Sequence, residues 1–166
     1  MFYRVENNFL GNDVLLEPTD CFEKTDELGN VCYIQDEKNF DITIQTSDIK
    51  EICFSKYILG AFFGKRQFLK EDHLYYIYAT EAIPDKDLSD NNIFDFATTK
   101  EVRYLNSINA KLIGSVEIDG FFIHNISRIE ESICFDSTTY QYNNDEGLEL
   151  MKEMEGFLQY INWINL

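Results

Sequence analysis

The segment Gly60-Ala61-Phe62-Phe63-Gly64-Lys65-Arg66 brings glycines and cations together, as phosphate-cradling loops do. A P-loop places four residues between its glycines and a Ser or Thr after the lysine, because that hydroxyl holds Mg²⁺. Here three residues intervene and Arg66 follows, so the P-loop is excluded. Neither G-x-S-x-G nor H-E-x-x-H occurs. Of the two histidines, His73 lies in a charged stretch and reads as solvated. His124 lies in the apolar run FFIHNI and reads as a hydrogen-bonded core or edge residue. Nothing in the sequence sets either one beside a nucleophile. The four cysteines, Cys21, Cys32, Cys53 and Cys134, form no C-x-x-C pair, so zinc spacing is missing. Cys53, in Ile52-Cys53-Phe54, reads as a small buried thiol. No disulfides and a reducing compartment are expected. The 30 carboxylates offer so many pairs that none is marked out for acid–base work.

Any chemistry must then rest on polar residues that the fold gathers. Phe2-Tyr3-Arg4-Val5 reads as a first strand, residues 7–13 as a turn, and Val14-Leu15-Leu16 as a second apolar patch. Leu28-Gly29-Asn30 reads as a turn before a strand at 31–34. Ile52-Cys53-Phe54 is a short buried strand, followed at Ser55 by a helix over 56–69, whose Ile58, Leu59, Phe62 and Phe63 fall at helical spacing. LYYIYA at 74–79 has strand composition, and 84–92 is a polar loop. Strands follow at 102–105 and 111–118, with a turn at 106–109 between them. Asp119-Gly120 signals a hairpin turn, with FFIHNI as the returning strand. Residues 138–144 read as loop. An amphipathic helix closes the chain, capped at Asn143-Asn144 and carrying Leu148, Met151, Met154, Phe157, Leu158, Ile161 and Ile164 on one face. Strands outnumber helices without βαβ alternation, which favours an α+β fold.

A chain of 166 residues can bury the core of one domain, and with only Pro18 and Pro84 and no linker-like stretch, a single domain over 1–166 is expected. Apolar residues at 45% exclude disorder despite 27% charged residues. The net charge of −16 repels phosphate backbones and anionic membranes, so direct nucleic-acid binding is not expected. A basic protein partner suits such a surface, and the same charge also keeps a small protein soluble. The N-terminal MFYRVENNFLG lacks a signal-peptide pattern, and no apolar run approaches the roughly 20 residues of a membrane span. A cytoplasmic protein that contacts no membrane is expected.

Three pieces come in a telling order: Phe2-Tyr3-Arg4; then Ile52-Cys53-Phe54-Ser55 entering a helix; then Thr99-Lys100-Glu101-Val102-Arg103 opening a strand pair. This order resembles the Arg–Ser–Glu arrangement of the ADP-ribosyltransferase superfamily. Over residues 52–120 the elements ICFS, AFFG, YYIYA, PDKDLSD and LIGSVEIDG are similar to those of the small rifampin ADP-ribosyltransferases. The resemblance implies a mostly antiparallel split sheet with one central helix and the C-terminal amphipathic helix, and NAD⁺ as substrate with an unknown acceptor. It makes Glu101 the carboxylate beside the positive ribose, Ser55 its orienting or ribose-binding hydroxyl, and Arg4 the pyrophosphate ligand. Tyr57 and Phe62 form an aromatic wall beside nicotinamide, and Asp85 or Asp87 matches the acid of the family's acidic loop. Thr99 stands where arginine-modifying members carry an acid, so arginine is a disfavoured acceptor. Each residue also has an ordinary reading: Arg4 and Glu101 as solvated charges, Ser55 as a helix cap, Tyr57 and Phe62 as core. The alternative function is a catalytically silent acidic protein of a phage or mobile element. It would inhibit a basic host defence or nucleic-acid-binding protein through carboxylates that include Asp85, Asp87, Asp90 and Asp95.

Overall fold

Apolar side chains on both faces of LYYIYA demand cover on both faces, and the strand is found inside a sheet. A computed structural model of the chain describes residues 1–25, 31–32, 43–91, 95–139 and 141–164. The strands are β1 (Phe2–Glu6), β2 (Asp13–Leu16), β3 (Thr19–Thr25), β4 (Val31–Cys32), β5 (Thr43–Ser55), β6 (His73–Thr80), β7 (Lys86–Asp87), β8 (Glu101–Tyr104), β9 (Ile108–Ile118), β10 (Cys134–Asp136), β11 (Gln141–Asn143) and β12 (Asn162–Trp163). The helices are α1 (Ile58–Gly64), α2 (Phe96–Thr99), α3 (Gly120–Ser132) and α4 (Asp145–Glu153). The main sheet runs β12-β9-β6-β1-β5-β3-β4, with β2 on β9, β8 on β5 and β7 on β8; β10 and β11 form a separate hairpin. The pairings among the described residues are antiparallel. The fold is therefore α+β with a mostly antiparallel sheet.

One face of the sheet carries Val5, Tyr75, Ile77, Ile113 and Val116 and is covered by Leu59, Phe62 and Phe63 of α1, Ile126 and Ile129 of α3, and Met151 of α4. The other face carries Ile52, Phe54, Tyr78, Val102, Tyr104 and Leu112, closed over by Phe2, Val14 and Leu16. Alternation on β6 and β9 feeds both clusters.

Several expectations are corrected. Asp119-Gly120 is not a hairpin turn: the Asp119 carboxylate accepts from the Phe122 N–H at 2.8 Å and caps α3. Phe122, Ile126 and Ile129 then fall on its buried stripe, and the helical period prevails over the dipeptide signal. His124 sits exposed on this helix, not in a core strand. The helix at 56–69 is shorter, with a 3-10 turn at Arg66–Phe68. The closing helix ends at Glu153, followed by a 3-10 turn at Glu155–Tyr160 and then β12, which pairs with β9. Ile52-Cys53-Phe54 is the end of the 13-residue β5, and Cys53 is half-buried. The loop at 84–92 contains β7, and the loop at 138–144 contains β11. The turn after β8 is shorter, since β9 starts at Ile108. The Leu28-Gly29-Asn30 turn, positions 33–34 of the strand after it and Asn92 lie outside the described residues. No helix among the described residues is long and apolar enough to cross a membrane.

Candidate functional site at the β1–β5–β8 junction

Strands β1, β5 and β8 meet in one row: Tyr3 faces Ser55, and Ser55 faces Glu101. Directly opposed residues share a sheet face, so Ser55 and Glu101 are neighbours on the face beneath α1. Ser55 is buried, and its hydroxyl is used twice: it accepts from the Tyr57 N–H at 3.0 Å and donates to the Thr99 carbonyl at 2.6 Å. A backbone bond from Lys56 N–H to the Lys100 carbonyl at 3.0 Å runs alongside. Ser55 therefore locks the start of α1 to α2. Gly60 completes the lock: a Cβ there would lie 2.3 Å from the Thr99 oxygen and 2.5 Å from Ser55 Oγ, an approach only glycine permits.

The partly buried Glu101 accepts from Arg103 Nε at 3.1 Å. Arg103, itself buried, donates from Nη1 to Glu51 Oε2 at 2.6 Å, and Lys86 on β7 pairs with the other Glu51 oxygen. Burial pushes the Glu51 carboxyl up, but its bonds to Lys86 and Arg103 outweigh that and hold it below the usual range. Beside this chain lies Asp95, bound by Arg66 Nη2 at 2.7 Å. Burial, opposed by Arg66 and aided by the charge of Glu101, pushes Asp95 up to about 6. A buried Thr98–Asn144 hydrogen bond anchors α2 to the head of α4.

Arg4 follows Tyr3, so strand alternation sends it to the face opposite Ser55 and Glu101. Its Nη1 reaches the Cys53 carbonyl at 3.1 Å, and its Nε pairs with Glu6. Lys65, past the end of α1, lies 3.8 Å from the second Glu6 oxygen. β1 and β5 share one residue pair and then part, and Arg4, Glu6 and Lys65 gather where they do. Burial lowers the Lys65 ammonium, with Glu6 opposing and Arg4 adding to the shift.

Of the expected aromatic wall, Tyr57 is exposed at the head of α1. Phe62 is a correction: it is 0% exposed, ringed by Tyr75, Phe122 and Phe157, and no ligand reaches its face. Asp85 accepts from the Leu105 N–H at 2.7 Å. Asp87 is held down to about 2 by hydrogen bonds from Lys56 first and then Ser89. Of the carboxylates expected in one stripe, Asp95 is buried and Asp87 is ion-paired with Lys56, while Asp85 and Asp90 stay exposed. Sequence reasoning missed Glu51, Lys65, Arg66 and the structural part of Arg103. The spacing of Glu101 and Arg103 was a legible signal, because residues two apart share a strand face. Glu51 becomes visible only through the β5–β8 register. Among the described residues no His, Cys, Asp or Glu group is arranged to hold a metal.

At the opposite end of the sheet the end of β9, the start of α3 and the turn at Glu155–Tyr160 enclose a groove of about 540 Å³. Compared with protein-family models, curated proteins and solved structures, the chain matches none.

Proposed function

We propose that the chain is an NAD-dependent ADP-ribosyltransferase-like protein that cleaves the nicotinamide–ribose bond and passes ADP-ribose to a protein or small-molecule acceptor. The observation that carries this reading is the Ser55–Glu101 cross-strand pair on the face beneath α1, with the cations Arg4 and Lys65 gathered around Glu6 where β1 and β5 part. The resemblance in the order of Arg4, Ser55 and Glu101 supports it.

When the glycosidic bond breaks, nicotinamide leaves with the bonding electrons and the ribose becomes oxocarbenium-like. A carboxylate held beside it lowers that barrier more than it favours bound substrate. Glu101 takes this role, aimed by Arg103. Ser55 is a positioning residue, since its hydroxyl is already committed to Tyr57 and Thr99. Arg4 and Lys65 supply two cations against the single carboxylate of Glu6, a local excess that suits a pyrophosphate within a chain of charge −16. The exposed Tyr57 ring offers a face for nicotinamide to stack on. An acceptor nucleophile then attacks the ribose and loses its proton.

The test is nicotinamide release from NAD⁺ by the purified chain. Glu101→Gln is expected to cut release at least about a hundredfold with folding intact, and Arg4→Ala to raise KM for NAD⁺ more than it lowers kcat. Failure of the wild type to bind or cleave NAD⁺ at millimolar concentration would sink the proposal.

A further inference from the structure

The groove at the far end of the sheet is made of two kinds of surface. Its apolar part is largely aromatic: Phe121 and Tyr160 are 74% and 63% exposed, and Phe157 lies against both Tyr160 and Phe122, with ring centroids 6.4 and 4.1 Å away. Its polar part is anionic: Asp72, Glu117 and Glu153 are exposed around the rings, and Asp119 caps α3. No Lys, Arg or His lines it, and Asp72, Glu117 and Glu153 make no ion pair among the described residues. Exposed rings leave apolar area in water, and clustered carboxylates repel one another. One ligand chemistry relieves both at once. A guanidinium or ammonium lies over ring faces and bonds to carboxylates, while an apolar neighbour fills the space between the rings.

We infer that this groove docks a cationic segment of a partner protein, one that sets an apolar side chain between Phe121 and Tyr160 and Lys or Arg side chains against Glu117, Glu153 and Asp72. The chain's charge of −16 steers such a partner inward from a distance. The volume of about 540 Å³ accommodates a few side chains of a peptide. The inference stands apart from the NAD⁺ reading. On the β6–β9 ladder the groove lies at the His73–Ile118 end, whereas the Tyr3–Ser55–Glu101 row continues the Ala79–Lys111 end, six residues or about 20 Å along the strand.

Fluorescence anisotropy of a labelled peptide of alternating Arg and Leu, titrated with the full chain, tests this. A matched peptide with Ser in place of Leu serves for comparison. The double variant Glu117→Lys/Glu153→Lys is expected to weaken Arg/Leu binding at least about tenfold. The control Glu81→Lys/Glu131→Lys makes the same charge change at exposed positions outside the groove. It is expected to change binding less than about twofold. Phe121→Ser is expected to weaken the Arg/Leu peptide at least about fivefold and the Arg/Ser peptide less, by the loss of ring contact with Arg alone. These side chains are exposed, and matched thermal unfolding curves establish that each variant folds. The inference is overturned if the wild type does not bind, if the control double variant weakens binding as much as the groove variant, or if Phe121→Ser has no effect.

Discussion

At the β1–β5–β8 end of the sheet, Glu51, Arg103, Glu101 and Lys86 are buried or half-buried and ion-paired with one another. At the β9–α3 end, Asp72, Glu117 and Glu153 stand in water around exposed rings with no cation among them. Matched charge under a helix costs desolvation and fixes geometry, whereas unmatched charge at a surface costs little to folding and leaves binding capacity. The same acidic chain thus holds one region whose charges are paired within the fold and one whose carboxylates are not.

The sharpest way to break this contrast is to remove one charge at each end. Arg103→Ala strands Glu51 in a buried site with only Lys86, and is expected to cost about 3–5 kcal/mol in urea unfolding. Glu117→Gln or Glu153→Gln is expected to shift stability by no more than about 0.5 kcal/mol. Equal effects at both ends would remove the distinction.

Ser55→Ala sharpens the contrast within the junction. It strips the buried Thr99 carbonyl and the Tyr57 N–H of their shared partner, at an expected cost of about 1–3 kcal/mol. A neutral result would mean that the lock between α1 and α2 does not depend on this hydroxyl.

The smallest expected effect is on pH dependence. Asp95 holds its proton up to about 6 in the folded chain, above the about 4 of an unfolded carboxyl. Between these values the folded state binds more protons, so this group's contribution falls as pH rises. Asp87 and Glu51 have the opposite sign: their contributions are present above the ordinary carboxylate range and are lost as pH falls through their lowered values, about 2 for Asp87. The urea midpoint of the wild type is expected to drop from about pH 5 to about pH 7 more than that of Asp95→Asn. Parallel profiles would show that Asp95 does not titrate in that window.

The α+β class, the strands around LYYIYA and KLIGSVEI and the helix after Ser55 were legible in the sequence, because alternation and helical spacing are local properties of the chain. So was the order of Arg4, Ser55 and Glu101. The helix at 120–132 was written there too, in Phe122, Ile126 and Ile129, but Asp-Gly serves both a hairpin and a helix cap, and only the packed core chose between them. Which polar residues meet is a matter of register. A strand shifted by one residue turns every side chain to the other face. Tertiary structure therefore decided that Ser55 and Glu101 share a face while Arg4 does not, that Phe62 belongs to the core, and that Glu51 holds Arg103. It also decided that Asp95 is buried while Glu117 and Glu153 remain at the surface beside Phe121, since net charge counts carboxylates but does not place them.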